Sequence, residues 1–75
     1  MPTSTPDRSE QGTHHWILTM DLPGHAAATT HGTFHLLPGQ TRQDVFVLIR
    51  RSMVDKHPSM ARANVVFFSF EPNRL

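Results

Sequence analysis

The stretch HHWILTMDL, residues 14–22, decides how the rest of the chain is interpreted. Its apolar and polar side chains largely separate by parity: Trp16, Leu18, Met20 and Leu22 against His15, Ile17, Thr19 and Asp21. A period of two predicts a half-buried β-strand with one face toward a core. Pro23-Gly24 ends the strand, because proline cannot donate to a ladder and glycine permits turn geometry.

A second strand follows within AATTHGTFHL, residues 27–36, whose threonines and phenylalanine favour extended structure. Pro38-Gly39 ends it. We expect an antiparallel hairpin turning around His25, with three facing pairs: Trp16 with Phe34, Leu18 with Gly32, and His15 with His35. One face is then apolar and the other rich in threonine and histidine, which supports the register. Gly32 indicates a close approach or a kink.

Residues 41–57 are predicted to form the helix. Thr41 is a favourable N-cap, and Asp44 at the third helical position makes a variant of the capping box. The core-facing stripe comprises Val45, Phe46, Ile49 and Met53, flanked by Leu48. Pro58 ends the helix, because the residue before a proline is pushed out of the α region.

The third strand is NVVFFSF, residues 64–70, in which both parities are apolar. We place Val66, Phe68 and Phe70 toward the core and Val65, Phe67 and Ser69 outside. The helix carries the chain back along the hairpin, so the third strand runs parallel to the second and antiparallel to the first. The commonest solution is an open sheet of order 2-1-3, and order 1-2-3 with a right-handed parallel crossover also satisfies these directions.

These elements predict an α+β protein of the β-β-α-β type, with a three-stranded, mainly antiparallel sheet and one helix packed on one face. Residues 13–75 form the single domain, and residues 1–12 form a disordered tail, because the tail has no large apolar residue after Met1. We expect one core containing Trp16, Leu18, Phe34, Ile49, Met53, Val66 and Phe68.

Composition narrows the function classes. The formal net charge is +1, so no strong field for nucleic acid is indicated. No segment approaches about 20 apolar residues, and the start lacks the pattern of a signal peptide, so we expect a cytoplasmic protein with no membrane partner. The absence of cysteine is compatible with that compartment. Six arginines against one lysine are typical of GC-rich coding and suggest a bacterium or its phage as the source.

Catalysis has little support in the sequence. Cysteine, a Gly-x-Ser-x-Gly elbow, a phosphate-binding glycine loop and a carboxylate pair are all missing, so we expect no enzyme and no cofactor. Six histidines invite a metal hypothesis, but the predicted strands bring them together only in pairs, and zinc sites use three or four protein ligands. We therefore expect no metal site. His15 and His35 are predicted to be a pH-sensitive pair, since protonating both would place like charges together.

Association with another protein has the best physical motive. The outer sheet face is expected to hold Ile17, Leu37, Val65 and Phe67, and an apolar patch on a small protein usually marks a contact. The third strand would also form an edge that needs a partner or a cover. We expect a non-enzymatic interaction protein that forms a homodimer, or binds another protein, as a regulatory or accessory factor.

The alternative is a nucleic-acid-binding factor. Four cations cluster late in the helix and in the loop after it: Arg50, Arg51, Lys56 and Arg62. Phe67 on the outer sheet face could stack a base, as aromatic residues do on other sheet platforms. The near-neutral net charge counts against this hypothesis.

Overall fold

Strands and helices follow in the predicted order in the computed structural model, which describes residues 11–75. The predicted tail therefore lies, up to residue 10, outside the described residues. The elements are β1 (His14–Leu22), β2 (Ala26–Phe34), α1 (Arg42–Lys56), a 3₁₀ helix (Pro58–Arg62) and β3 (Asn64–Pro72). The α+β class with one α-helix and one sheet is confirmed.

The sheet has three strands in the order β2-β1-β3, and β1 is antiparallel to both of its neighbours. This order confirms the 2-1-3 alternative. β1 lies in the centre, which suits its regular alternation of apolar and polar residues. β2 and β3 are therefore the two edges of the sheet.

The pairing of β1 with β2 is shifted by two residues from the predicted register. Trp16 faces Gly32 rather than Phe34, and His15 faces Thr33 rather than His35. The cause is the tight turn after β1, in which the backbone N–H of His25 donates to the carbonyl of Leu22 at 3.0 Å. A shift of two residues keeps every side chain on its predicted face.

A β-bulge interrupts the ladder between β1 and β3. Thr19 pairs with Phe67 and Met20 pairs with Val65, so Val66 is the extra residue. Val66 is 63% exposed, and its predicted place in the core is wrong. Beyond the bulge the parity of β3 reverses, which moves Val65 to the face that carries Met20.

The start of α1 forms the predicted variant of the capping box. The N–H of Asp44 donates to Thr41 Oγ1 at 3.1 Å, and the N–H of Thr41 donates to Asp44 Oδ2 at 3.0 Å. At the other end, the N–H of His57 donates to the Met53 carbonyl at 2.9 Å. Pro58 then begins the 3₁₀ helix, which leads directly into β3.

The core lies between α1, the 3₁₀ helix and one face of the sheet. Its buried residues are Leu18, Met20, Val45, Ile49 and Ala63, and partly buried aromatic and aliphatic residues surround them: Trp16, Leu22, Phe34, Leu36, Phe46, Met53, Met60, Phe68 and Phe70. Apart from Val66, every residue of the predicted core belongs to one of these two groups. We call the sheet face opposite α1 the outer face.

Residues 11–13 join the two edges of the sheet at one end. The N–H of Gly12 donates to Thr33 Oγ1 at 2.9 Å, and the N–H of Asn73 donates to the Thr13 carbonyl at 2.9 Å. A Cβ on Gly12 would lie 2.4 Å from the carbonyl carbon of Phe34. Gln11 also accepts a bond from Asn73, so the last two residues of the predicted tail are hydrogen-bonded to the domain.

Candidate association surfaces

The four residues predicted to form an apolar patch do not lie together. Ile17 and Phe67 share the outer face, because Phe67 pairs with Thr19 in β1. Val65 faces the helix side of the sheet, opposite Met20. Leu37 lies in the loop between β2 and α1 and is 54% exposed. The bulge in β3 and the early end of β2 explain these two departures.

Three consecutive residues of β3 form an exposed apolar strip. Val65, Val66 and Phe67 are 38%, 63% and 51% exposed. The bulge leaves Val66 unpaired, with Phe67 on the outer face and Val65 on the helix side, so the strip runs across β3 from one face of the sheet to the other. We call these three residues the β3 patch.

The backbone of β3 is partly covered next to this patch. Arg42 Nη2 donates to the Phe68 carbonyl at 3.0 Å, and the guanidinium carbon lies 4.9 Å from the centre of the Phe68 ring. A covered carbonyl and a bulge both hinder the addition of another strand to an edge. The β3 patch therefore presents side chains, while part of the backbone beside it is already occupied.

The rest of the outer face is mostly polar. Ile17 lies between His31 of β2 and Ser69 of β3 in the register. In the next row the hydroxyl oxygens of Thr19 and Thr29 are 2.8 Å apart, a hydrogen bond across the hairpin. On the outer face, the apolar Ile17 is therefore surrounded mainly by hydroxyl and imidazole side chains.

The predicted pairing of His15 with His35 is wrong, because β2 ends at Phe34 and His35 leaves the sheet. The imidazole ring of His15 lies instead beside that of His31. The two ring centroids are 5.6 Å apart, with an interplanar angle of 46°. The shifted register creates this diagonal pair. Its signal in the sequence was the tight turn Pro23-Gly24, which allows the hairpin to close without a longer loop.

The four predicted nucleic-acid contacts lie on α1 and the 3₁₀ helix. Arg50 Nη2 donates to the Ala61 carbonyl at 3.0 Å and so links the two helices, whereas Arg51, Lys56 and Arg62 are exposed. These helices cover one face of the sheet, and Phe67 lies on the other. The aromatic platform and the cations are therefore on opposite sides of the sheet.

A groove of about 470 Å³ separates β2 from α1. Its lining includes Trp16, Thr30, Phe34, Leu48, Met53 and Lys56. The indole of Trp16 lies over Gly32, where a Cβ would be 3.1 Å from Trp16 Cζ2. Sequence reasoning missed this groove, because it depends on how far the helix reaches across the sheet.

Within residues 11–75, no three histidine, aspartate or glutamate side chains gather closely enough to hold a metal ion. In the same part of the chain, no helix has the length and apolar character needed to cross a membrane. Comparison of the chain with protein-family models, curated proteins and solved structures finds no significant match.

Proposed function

We propose that this chain is a small non-enzymatic association domain that pairs with a second copy of itself through the β3 patch. The observation that carries the proposal is the run of three exposed apolar residues on an edge strand. Patches of this kind on small proteins mark contact sites, because covering them removes apolar surface from water. A domain of this size buries only about 60% of the surface that its unfolded chain exposes, so burial on association also adds stability.

The contact is expected to be side-chain packing rather than formation of a continuous sheet. Val66 bulges from the ladder, and Arg42 occupies the Phe68 carbonyl, so β3 offers an incomplete template for another strand. Packing patch against patch about a two-fold axis uses the same residues on both copies. Phe67 supplies the largest side chain to such a contact.

Charge favours an antiparallel arrangement of the two β3 strands. Residues 64–70 carry no charge, while Arg62 lies just before the strand and Glu71 near its end. An antiparallel pair brings Arg62 of one copy toward Glu71 of the other, twice by symmetry. A parallel pair would bring like charges together, which costs free energy.

The affinity is expected to be modest. Stable interfaces bury about 1,200–2,000 Å² in total, and three side chains on each copy supply only a part of that area. Ile17 and the neighbouring outer face can extend the contact. We therefore expect monomer and dimer to exchange, with the dimer prominent at several hundred micromolar, on the order of weak transient complexes.

The test is sedimentation velocity across a concentration series for the full chain and two variants. Phe67→Asp places a charge in the patch and should leave a monomer at every concentration. Leu37→Asp is the matched control, because Leu37 is a similarly exposed apolar residue outside the patch. A monomeric wild type, or a dimer that survives Phe67→Asp, would contradict the proposal.

A charge swap tests the antiparallel arrangement separately. Arg62→Glu and Glu71→Arg should each weaken the dimer, and the double variant should restore it. Restoration is expected because the two opposite-charge contacts are rebuilt with their signs exchanged. If the double variant is as weak as the singles, the two residues do not face each other in the dimer.

A further inference from the structure

The pairing of His15 and His31 places two imidazoles side by side on the outer face. His31 faces Ile17 in the register, and His15 faces Thr33, so the two histidines are diagonal neighbours across the hairpin. Their ring centroids are 5.6 Å apart. Both backbones are held by a ladder without a bulge, so the relative position of the two Cα atoms is set by the hairpin before any ligand arrives.

The spacing suits two ligands of one ion. Imidazole nitrogens bind zinc-like ions at about 2.0–2.1 Å, which places two coordinating rings with their centres roughly 5–6 Å apart. The rings stand on a face that α1 does not cover, so rotation about the side-chain torsions can point one nitrogen of each ring at a common centre.

The charge of the outer face also favours a cation. The register assigns to this face the residues His15, Ile17, Thr19, Asp21, Ala27, Thr29, His31, Thr33, Asn64, Phe67, Ser69 and Glu71. Its charged members are the two carboxylates Asp21 and Glu71, with no lysine or arginine among these residues. Glu71 pairs directly with His15. A cation bound beside His15 therefore gains a neighbouring negative charge.

We propose that His15 and His31 together bind one divalent transition-metal ion of the class that prefers imidazole, with water in the remaining positions. Copper, nickel and zinc belong to this class, and the order of intrinsic affinity places copper first. Magnesium and calcium prefer oxygen ligands and should not bind here. The site has two protein ligands, so it differs from structural zinc sites with four.

The experiment is isothermal titration of the full chain with Ni²⁺, Zn²⁺ and Mg²⁺. His15→Gln and His31→Gln should each lower the affinity for Ni²⁺ and Zn²⁺ by about tenfold or more, because each removes a ligand whose loss exceeds that of an outer-shell group. Glu71→Gln should lower it by about two- to threefold through charge alone. Mg²⁺ should give no heat of binding.

His25→Gln and His57→Gln are the matched controls, because both residues are exposed and lie outside the pair. They should bind both metals as the wild type does. The number of coordinated nitrogens in the Cu²⁺ complex, measured by electron paramagnetic resonance, should fall from two to one in His31→Gln. Equal affinities for the wild type and His31→Gln, or equal losses in the control variants, would overturn the proposal.

The metal-binding measurement can be made independently of the proposed dimer. Phe67→Asp should still bind Ni²⁺, at least as tightly as the wild type, because it keeps both histidines and adds one carboxylate to the outer face. Metal binding by a monomeric variant would support the site even if the self-association fails.

Discussion

β2 and β3 flank the same central strand, yet their side chains differ in size at matched positions. On the face toward α1, Leu18 lies between Thr30 of β2 and Phe68 of β3. In the next row Trp16 lies between Gly32 and Phe70. Small residues on one edge and aromatic residues on the other make an asymmetric platform for the single helix.

The helix closes the β3 side and leaves the β2 side open. Phe46 of α1 packs edge-on against Phe68 with ring centroids 5.1 Å apart. On the other side, the groove of about 470 Å³ remains between β2 and the helix. The volume of the side chains on the two edge strands, rather than the strand order, thus decides which edge the helix packs against.

The two edges also differ in how they meet solvent. β3 exposes apolar side chains, but its ladder contains a bulge, and Arg42 covers the Phe68 carbonyl. β2 pairs with β1 over its full length without a bulge and carries mostly alanine and threonine. An apolar edge is therefore combined with backbone protection, which natural sheets use against uncontrolled strand addition.

The largest effect is expected from removing the aromatic ring beside Leu18. Phe68→Ala should lower the free energy of unfolding by about 2–4 kcal/mol, somewhat below the value for a fully buried phenylalanine. The ring contacts Phe46, Phe70 and the Arg42 guanidinium, and all three contacts are lost. Urea denaturation followed by tryptophan fluorescence would measure the change.

Thr30→Ala is the matched substitution on the other side of Leu18. It should cost less than about 1 kcal/mol, because Thr30 lines the open groove and loses one weak hydrogen bond to the Met53 sulfur, at 3.7 Å. Similar losses for Thr30→Ala and Phe68→Ala would mean that the helix packs equally on both edges.

A smaller effect is expected where Trp16 covers β2. Gly32→Ala should lower stability by about 1 kcal/mol, because the new methyl group would press on the indole 3.1 Å away. The indole can shift only partly, since it belongs to the shell around the core. Thermal unfolding by circular dichroism would detect the loss.

The double variant with Trp16→Leu tests the cause of that loss. Without the indole, Gly32→Ala should become stabilising by about 0.5 kcal/mol, since alanine restricts the unfolded chain more than glycine does. If the cost of Gly32→Ala is the same in both backgrounds, the backbone of β2, and not the tryptophan, requires glycine.

The parity of the hairpin could be predicted from the sequence, but its register could not. Alternating residues in β1 identify the two faces, and a shift of two residues leaves the faces unchanged. The register depends on the turn, and the chain turns tightly at residues 23–25. The sequence therefore predicts the correct face for His15 but the wrong partner.

The bulge in β3 and the groove beside β2 could not be predicted from the sequence, for physical reasons. Both parities of residues 65–68 are apolar, so the pattern does not reveal which residue is extra. Ala63, directly before β3, is buried, and the bulge at Val66 lies close to this entry to the strand. The groove depends on the packing of whole elements.

A third effect concerns the protection of the β3 edge. Arg42→Met should lower stability by about 0.5–1 kcal/mol, the range for an exposed guanidinium over an aromatic ring. Methionine keeps an unbranched apolar stem but loses the charge and the hydrogen bond to the Phe68 carbonyl. Arg51→Met is the control on the same helix, and it should change stability by less than about 0.5 kcal/mol. Equal changes in the two variants would show that Arg42 does not stabilise the edge.

The smallest effect is expected at the bulge itself. Val66→Ala should change the free energy of unfolding by less than about 0.5 kcal/mol, because the side chain is largely exposed. A buried valine in the position that strict alternation predicts would cost on the order of 2 kcal/mol when truncated to alanine.

Chemical denaturation at low protein concentration measures the stability of the monomer, and repeating it at high concentration adds the contribution of the dimer. Val66→Ala should then lose stability only at the high concentration, because the side chain contributes to the β3 patch and not to the core. A loss of about 2 kcal/mol at low concentration would show that Val66 is buried in the core and that β3 pairs with β1 without a bulge.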